Sequence, residues 1–405
     1  MFKKEFDKYF TLLSLYLAQS IPMSFFSTVV PVIMRMENYS LESIGYVQLI
    51  KLPWIAKFFW APFVDHTSKN LRQYRHWILG SEVFYAIIIV AIGFLNLQTD
   101  FITIVILMVI AFTASATQDI ATDAFAILSL KKEQRSLGNS MQSAGSFLGT
   151  MVGSGVLLVI YHYYGWSNLL FGLAAVVLLA LIPVTLYKAP HDKTAHQSRK
   201  KVSWLDFALF FKQKGIWRHI LLLLIFYAGI IGILTMLKPY LVDLGYSIKK
   251  IGIVVGIFGT GIGALMTIPA GIYIRKKGLK RALYAFPILN LLVAVYFTGL
   301  TYTSHQPVLI YAGIALLWAA YAMSSVFVYT LSMGIVRKGR EGTDFTVQIV
   351  LTHLSSLIIS VMSGKVADML TYRGLFIVEM IIGVVILILL YLSYSDKFYE
   401  RNERP

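Results

Sequence analysis

The sequence predicts an all-α membrane protein of twelve transmembrane helices arranged as two six-helix bundles. Composition, the spacing of apolar runs and the placement of charge each point to it. Of 405 residues, 57% are hydrophobic and only 14% charged, which is more apolar than an ordinary soluble domain. Runs of the about 20 apolar residues needed to cross a hydrocarbon layer of roughly 30 Å recur near 10–34, 42–64, 77–95, 101–128, 137–160, 166–187, 218–242, 249–274, 282–301, 307–336, 344–366 and 374–394. The longest polar interruption, Lys188 to about Trp217, falls after the sixth run. It defines an N-terminal bundle (1–187), a linker (188–217) and a C-terminal bundle with a short tail (218–405).

Span 1 follows Lys3, Lys4 and Lys8 and is long enough to cross, so it reads as a helix and not as a cleaved leader. Span 2 carries Pro53 and, unusually for its depth, Lys51 and Lys57. Span 4 holds Gln118, Asp119 and Asp123, the two acids four residues apart and hence on one helical face. An ionised group at mid-membrane costs roughly 3 kcal/mol on insertion scales, so this pair needs water or a cation beside it. Span 5 has Gly145, Gly149 and Gly153 at four-residue steps, and span 8 has Gly252, Gly256, Gly259, Gly261 and Gly263. Small residues let helix backbones approach closely. In the linker, Trp204, Leu205, Phe207, Ala208, Phe210 and Phe211 alternate with Ser203, Asp206, Lys212 and Lys214, the pattern of an amphipathic helix on the inner membrane surface.

Charge orients the chain. The connections on one side, with both termini and the linker, collect 28 Lys and Arg residues against 4 (Arg35, Lys249, Lys250, Arg373) on the other. By the positive-inside rule both termini face the cytoplasm, and a bacterial inner membrane is the expected location. The same clustering accounts for the net charge of +16 without nucleic acid. With no cysteine there is no disulfide, thiol or thiolate-metal chemistry. No metal-ligand spacing, nucleophile elbow or phosphate loop is present, so neither an enzyme nor a cofactor is expected. The partners implied are a small-molecule solute, protons and the lipid bilayer, with the chain acting as a monomer.

The halves echo each other. Ala61-Pro62-Phe63-Val64-Asp65 precedes a basic connection in the first, and Ala270-Gly271-Ile272-Tyr273-Ile274 precedes Arg275-Lys276-Lys277-Gly278 in the second. Tyr164-Gly165-Trp166 enters span 6 much as Tyr372-Arg373-Gly374 enters span 12. Such parallel repeats resemble the major facilitator superfamily, whose halves are related by an axis normal to the membrane. Span 1 carries Ser20-Ile21-Pro22-Met23 and span 2 carries Leu52-Pro53-Trp54-Ile55-Ala56-Lys57-Phe58-Phe59-Trp60-Ala61-Pro62-Phe63-Val64-Asp65. Span 4 carries Gln118-Asp119-Ile120 and Asp123-Ala124, and span 11 opens with Gly342-Thr343-Asp344-Phe345. In these motifs the chain is similar to the superfamily's branch of AmpG-type muropeptide permeases and acetyl-CoA transporters. The branch pattern is broken in places. Ala126-Ile127-Leu128 stand where permeases often have Arg and Glu, resembling the acetyl-CoA branch. Asp344 replaces the usual amide, and His66 stands where an Arg is usual. Helix 5 lacks the Gly-Pro element of the superfamily's drug–proton antiporters.

Lys57 and Asp119 each lie four residues past the middle of an inward-running span, about 6 Å deeper at 1.5 Å per residue. Equal depth predicts an ion pair, with Asp123, one turn on, as the proton carrier. The alternative is a static pair holding the two helices together. Lys51 beside Pro53 is a candidate for an anionic solute group, while Lys238 and Lys365 are placed to snorkel. Glu82, Glu379 and His353 are further intramembrane candidates for a relay. What the resemblance implies is a solute site on helices 1, 7 and 10, drawing on Gln19, Tyr227, Trp318 and Tyr321, with Gln118 beside the acids. It also implies a latch at Asp65, and a seam where Gly145 and Gly149 face Gly256 across helices 5 and 8, with ordinary tight packing of those stripes as the alternative. Asp344, the added ionisable group, is a further gating candidate. The expected function is proton-coupled import of a bulky amphiphilic anion such as an anhydro-muropeptide. The alternatives are an acetyl-CoA-like transporter, or a membrane sensor or scaffold on a transporter fold.

Overall fold

A computed structural model describes residues 2–36, 47–187, 202–303 and 306–393. The first half of the predicted linker (188–201) and the basic tail (394–405) lie outside the described residues. Among the described residues the regular structure is entirely helical.

Helix α1 runs Phe2–Ser24, widens to a π turn at Phe25–Val29 and closes at Val30–Met36. The widening follows Pro22, which offers no backbone donor. Helix α2 (48–67) is broken into a 3₁₀ turn at Gln48–Lys51, α-helix at Leu52–Ala56, a 3₁₀ turn at Lys57–Phe59 and α-helix at Ala61–Thr67. Pro53 and Pro62 each sit in the first turn of a helical piece, where a missing N–H is harmless. Lys57 therefore lies in a tightened turn between two prolines.

Helix α3 is Leu71–Gly93, started by Asn70, whose side chain accepts the Gln73 amide at 3.0 Å. Helix α4 is Phe101–Ser129. Helix α5 (135–164) contains a π turn at Val152–Val156 and ends at Gly165, whose φ of 71° only glycine adopts freely. Helix α6 is 166–179, and α7 is Ile216–Asp243, interrupted at Tyr227. Helices α8 (248–277) and α9 (279–300) meet at Gly278 (φ 82°), and α10 is Pro307–Gly334. Helices α11 (341–370) and α12 (372–393) meet at Thr371 (φ 63°).

Eight helices among the described residues are long and apolar enough to cross a membrane. Two of these, 249–300 and 341–392, have 52 residues each, and each is two crossings joined at a kink. With those divided, and with α2 and α5 counted despite their interruptions, the twelve predicted helices are present. The halves' echo shifts in register, because the left-handed residue is Gly165 in the first half but Thr371 in the second, and not Gly374.

Backbone packing divides the chain into two compact units. One comprises Met1–Lys131, Ala144–Phe210 and Val336–Val347, the other Lys132–Ser143, Phe211–Ile335 and Gln348–Pro405. The first has its apolar core around Phe25, Phe26, Tyr85, Phe112 and Leu170. In the second, Phe226 stacks on Phe327 at 4.7 Å, amid Leu222, Phe286 and Phe297. Such ring pairs add about 0.5–1.5 kcal/mol each beyond area burial.

The glycines of α5 fall on one face of the helix. They pack on α1. A Cβ on Gly145 would lie 2.7 Å from the Leu13 carbonyl, one on Gly149 2.6 Å from the Ser20 Cβ, and one on Gly153 against the Ile21 carbonyl. A small-residue stripe accepts whichever backbone comes nearest, and here that is α1. In the second unit, the start of α5 meets α8 through Ser140, whose hydroxyl donates to the Thr267 carbonyl at 2.6 Å and would be struck by a Cβ on Gly271. Gly256 lies in the π turn Gly252–Gly259 of α8, and its carbonyl accepts the Thr260 hydroxyl.

Candidate functional site

The first unit buries an ionic cluster among α1, α2 and α4. Lys57, with no exposed surface, forms an ion pair with Asp119 Oδ2. Gln19 Nε2 donates to Asp119 Oδ1 at 2.9 Å, so both carboxylate oxygens are engaged. The Lys57 ammonium also lies 4.7 Å from the Trp54 ring centroid, a cation–π contact. One turn on, Asp123 accepts a hydrogen bond from the Tyr16 hydroxyl. It is near enough for Asp119 and Lys57 to act on it electrostatically.

Local structure explains the arrangement. The 3₁₀ turn between the two prolines aims Lys57 inward, and the four-residue step on α4 puts both acids on one face. A buried charge is tolerable when paired and hydrogen-bonded, and each oxygen of Asp119 has a donor.

Tyr16 and Trp54 were not anticipated from sequence. Tyr16 lies three residues before Gln19, on the same face of α1, and that spacing was the available signal. Gln118, Ser115 and Thr122 form a neighbouring stripe on α4. All three are buried, and no hydrogen bond to their side chains is found among the described residues. Lys51 ends the first 3₁₀ turn of α2 and is exposed.

In the second unit Tyr227, at the interruption of α7, packs with α10. Its ring lies 5.6 Å from that of Tyr321, which in turn meets Trp318 edge-on at 6.2 Å. The Trp318 indole covers Gly259, where a Cβ would overlap it.

The relay candidates differ in their surroundings. Glu82 on α3 is fully buried, with neither oxygen hydrogen-bonded among the described residues. Glu379 on α12 faces the Ser363 hydroxyl at 3.5 Å. A Cβ on Gly232 would overlap its Oε1. His353, Lys238 and Lys365 are exposed.

Asp65 is buried at the end of α2 and meets four donors. These are the Tyr74 hydroxyl (2.7 Å), the Gly342 amide (3.0 Å), the Thr343 amide (2.7 Å) and the Thr343 hydroxyl (2.7 Å). The two amides belong to the first turn of α11, whose helix dipole favours an anion there. A Cβ on Gly342 would stand 2.8 Å from Asp65 Oδ1, so glycine is what admits the carboxylate.

Nearby, Arg337 grips Asp344 with a fork, Nε to Oδ2 at 2.9 Å and Nη2 to Oδ1 at 2.6 Å. Arg337 Nη2 also reaches the Asp206 carbonyl at 2.7 Å, and Arg340 Nε reaches Asp206 Oδ1 at 2.7 Å. Asp206 starts the short linker helix Asp206–Phe210. Burial alone would raise its carboxyl pKa. Hydrogen bonds from Arg340 and the Ser203 amide, with the Arg340 and Arg337 charges, carry it below the ordinary value instead. His66, noted as the missing Arg, lies with Nδ1 2.9 Å from the Val202 carbonyl and so touches the linker.

Comparison with known proteins matches the sequence to one family. The sequence profile of the Major Facilitator Superfamily matches residues 10–356. The chain is 24% identical over 409 residues to the anhydromuropeptide permease of Escherichia coli K12, covering 97% of this chain and 83% of that protein. It is 24% identical over 425 residues to the putative transporter AmpG 3 of Rickettsia prowazekii, covering 99% of each. Among solved structures it resembles the proton:xylose symporter XylE, with a TM-score of 0.72 at 15% identity, covering 97% of this chain and 96% of that one. The chain belongs to the Major Facilitator Superfamily.

Proposed function

We propose that this transporter imports an anhydro-muropeptide, or a closely similar amphiphilic anion, together with protons across the inner membrane of a bacterium. The observation that carries the proposal is the buried cluster of Lys57, Asp119, Gln19, Asp123 and Tyr16. A structural ion pair alone needs no second acid one turn away. Asp123 beside that pair is a carboxyl whose proton affinity depends on water access and on the neighbouring ammonium. In the proposed cycle Asp123 takes a proton from the outer side, Lys57 remains with Asp119, and release inward accompanies release of the solute.

The polar stripe of Ser115, Gln118 and Thr122 has hydrogen-bonding capacity suited to a sugar or peptide. The ring cluster of Tyr227, Trp318 and Tyr321 offers flat apolar surface of the kind that sugar rings pack on, and Lys51 offers a charge for a carboxylate or phosphate. The relative named as an anhydromuropeptide permease supports this substrate class. Gly342 with Asp65 supports a latch that holds the start of α11 in one state.

An acetyl-CoA-like solute is the second reading, favoured by Ala126-Ile127-Leu128 after the helix 4 signature. Uptake of labelled anhydro-muropeptide and acetyl-CoA into proteoliposomes, with and without an imposed pH gradient, separates the readings. Gradient-driven uptake of the first supports the proposal. Uptake of acetyl-CoA alone supports the second, and no uptake of either supports a sensor or scaffold.

A further inference from the structure

A groove of about 700 Å³ lies on the outer face of the first unit between α3 and α4. Gln73, Trp77, Gly80 and Phe84 line one side at three- and four-residue steps, a single stripe of α3. Ile110 and Thr117 mark the two ends of the α4 side. Its floor is vacant at Gly80, where a Cβ would meet nothing within 4 Å.

The ends differ in chemistry. Phe84 and Ile110, exposed by 46% and 40%, form an apolar end. The other end holds Thr67, Gln73 and His76, and the exposed side chains of Lys69 and Arg72 lie one turn before Gln73 and His76. No exposed acid stands there among the described residues. Asp65, the nearest carboxylate in sequence, is buried and committed to Tyr74, Gly342 and Thr343. The indole N–H of Trp77 is likewise committed, to the Thr67 hydroxyl at 2.9 Å.

Length argues for a particular occupant. From Gln73 to Phe84 the stripe spans about 16 Å at 1.5 Å per residue, close to one leaflet of a hydrocarbon core about 30 Å thick. A site one leaflet deep, apolar at mid-membrane and cationic at the surface, matches a phospholipid with an anionic headgroup. We propose that this groove binds one anionic phospholipid, with an acyl chain along Gly80 and its phosphate at Lys69, Arg72 and His76. The inference is independent of what the protein transports.

The test is native mass spectrometry of the full chain, purified in detergent and offered equal phosphatidylglycerol and phosphatidylethanolamine. Wild type should retain one phosphatidylglycerol in preference by at least about tenfold, given the attraction of basic clusters for anionic headgroups. Gly80→Leu should lose that adduct by filling the floor. The triple variant Lys69→Gln, Arg72→Gln, His76→Gln should bind both lipids alike. Equal retention of the two lipids by wild type would overturn the proposal, as would an undiminished adduct in Gly80→Leu or a second copy of the chain replacing the lipid. Should Gly80→Leu fail to purify, the triple variant, altered only at exposed positions, decides alone, and unchanged selectivity in it refutes the site.

Discussion

Lys57 illustrates how one residue is held at depth by its neighbours. Removing one member of a buried ion pair leaves an uncompensated charge and costs about 3–5 kcal/mol. Lys57→Ala should therefore lower the melting temperature in detergent sharply, and Lys57→Ala with Asp119→Ala should recover much of the loss. Equal melting for the wild type and Lys57→Ala would show that the pair carries no such energy. Tyr16→Phe removes one donor to Asp123 and should cost about 1.5–3 kcal/mol, the range for hydrogen bonds to charged groups. At this scale the sequence was informative about Lys57 and Asp119, because depth along a span is countable from either end. It was silent about Tyr16 and Trp54, because the rotation of α1 and the tightened turns of α2 are set by packing that a single sequence does not display.

Between elements, the same contacts decide how far prediction reached. The glycine stripe of α5 was legible as a close-packing surface, yet its partner was not, since absent side chains record only that something comes near. Gly149→Leu should separate α1 from α5 and lower thermal stability, because overpacking a tight contact costs about 1–3 kcal/mol or more. Gly172→Ala, where a Cβ meets nothing within 4 Å, should be neutral or slightly stabilising by up to about 1 kcal/mol. Similar losses at both positions would refute the assignment of α1 as the partner.

The linker helix offers a pH test. The Asp206 carboxyl titrates below its ordinary value of 3.8, so its docking energy is present above that pH and is lost as pH falls through the lowered value. Trp204, stacked on Phe63 at 6.0 Å, should change its fluorescence in acid below the ordinary carboxylate value, and Asp206→Asn should abolish that change. The same acid change in Asp206→Asn would contradict the Arg337–Arg340 clasp.

For the whole molecule, the twelve crossings were legible because hydrocarbon thickness imposes a length that composition cannot hide. The register of the internal repeat was less so, since Thr371 adopts a left-handed conformation that a sequence reading assigns to glycine. Orientation was read from 28 basic residues against 4. The absence of cysteine makes the proposed topology directly testable. A single cysteine at Lys131 should react with an impermeant maleimide only in inverted vesicles, and one at Lys249 only from the outside of intact cells. The reverse pattern would invert the chain in the membrane.

The proposed coupling rests on the fourth helix carrying two acids of unequal duty, one paired with a lysine and one proposed to gain and lose a proton. Labelled anhydro-muropeptide uptake by Asp123→Asn, in proteoliposomes with and without a pH gradient, addresses this most directly. The expected result is residual downhill uptake that no longer responds to the gradient. Uptake that still accelerates with the gradient as in the wild type would contradict it.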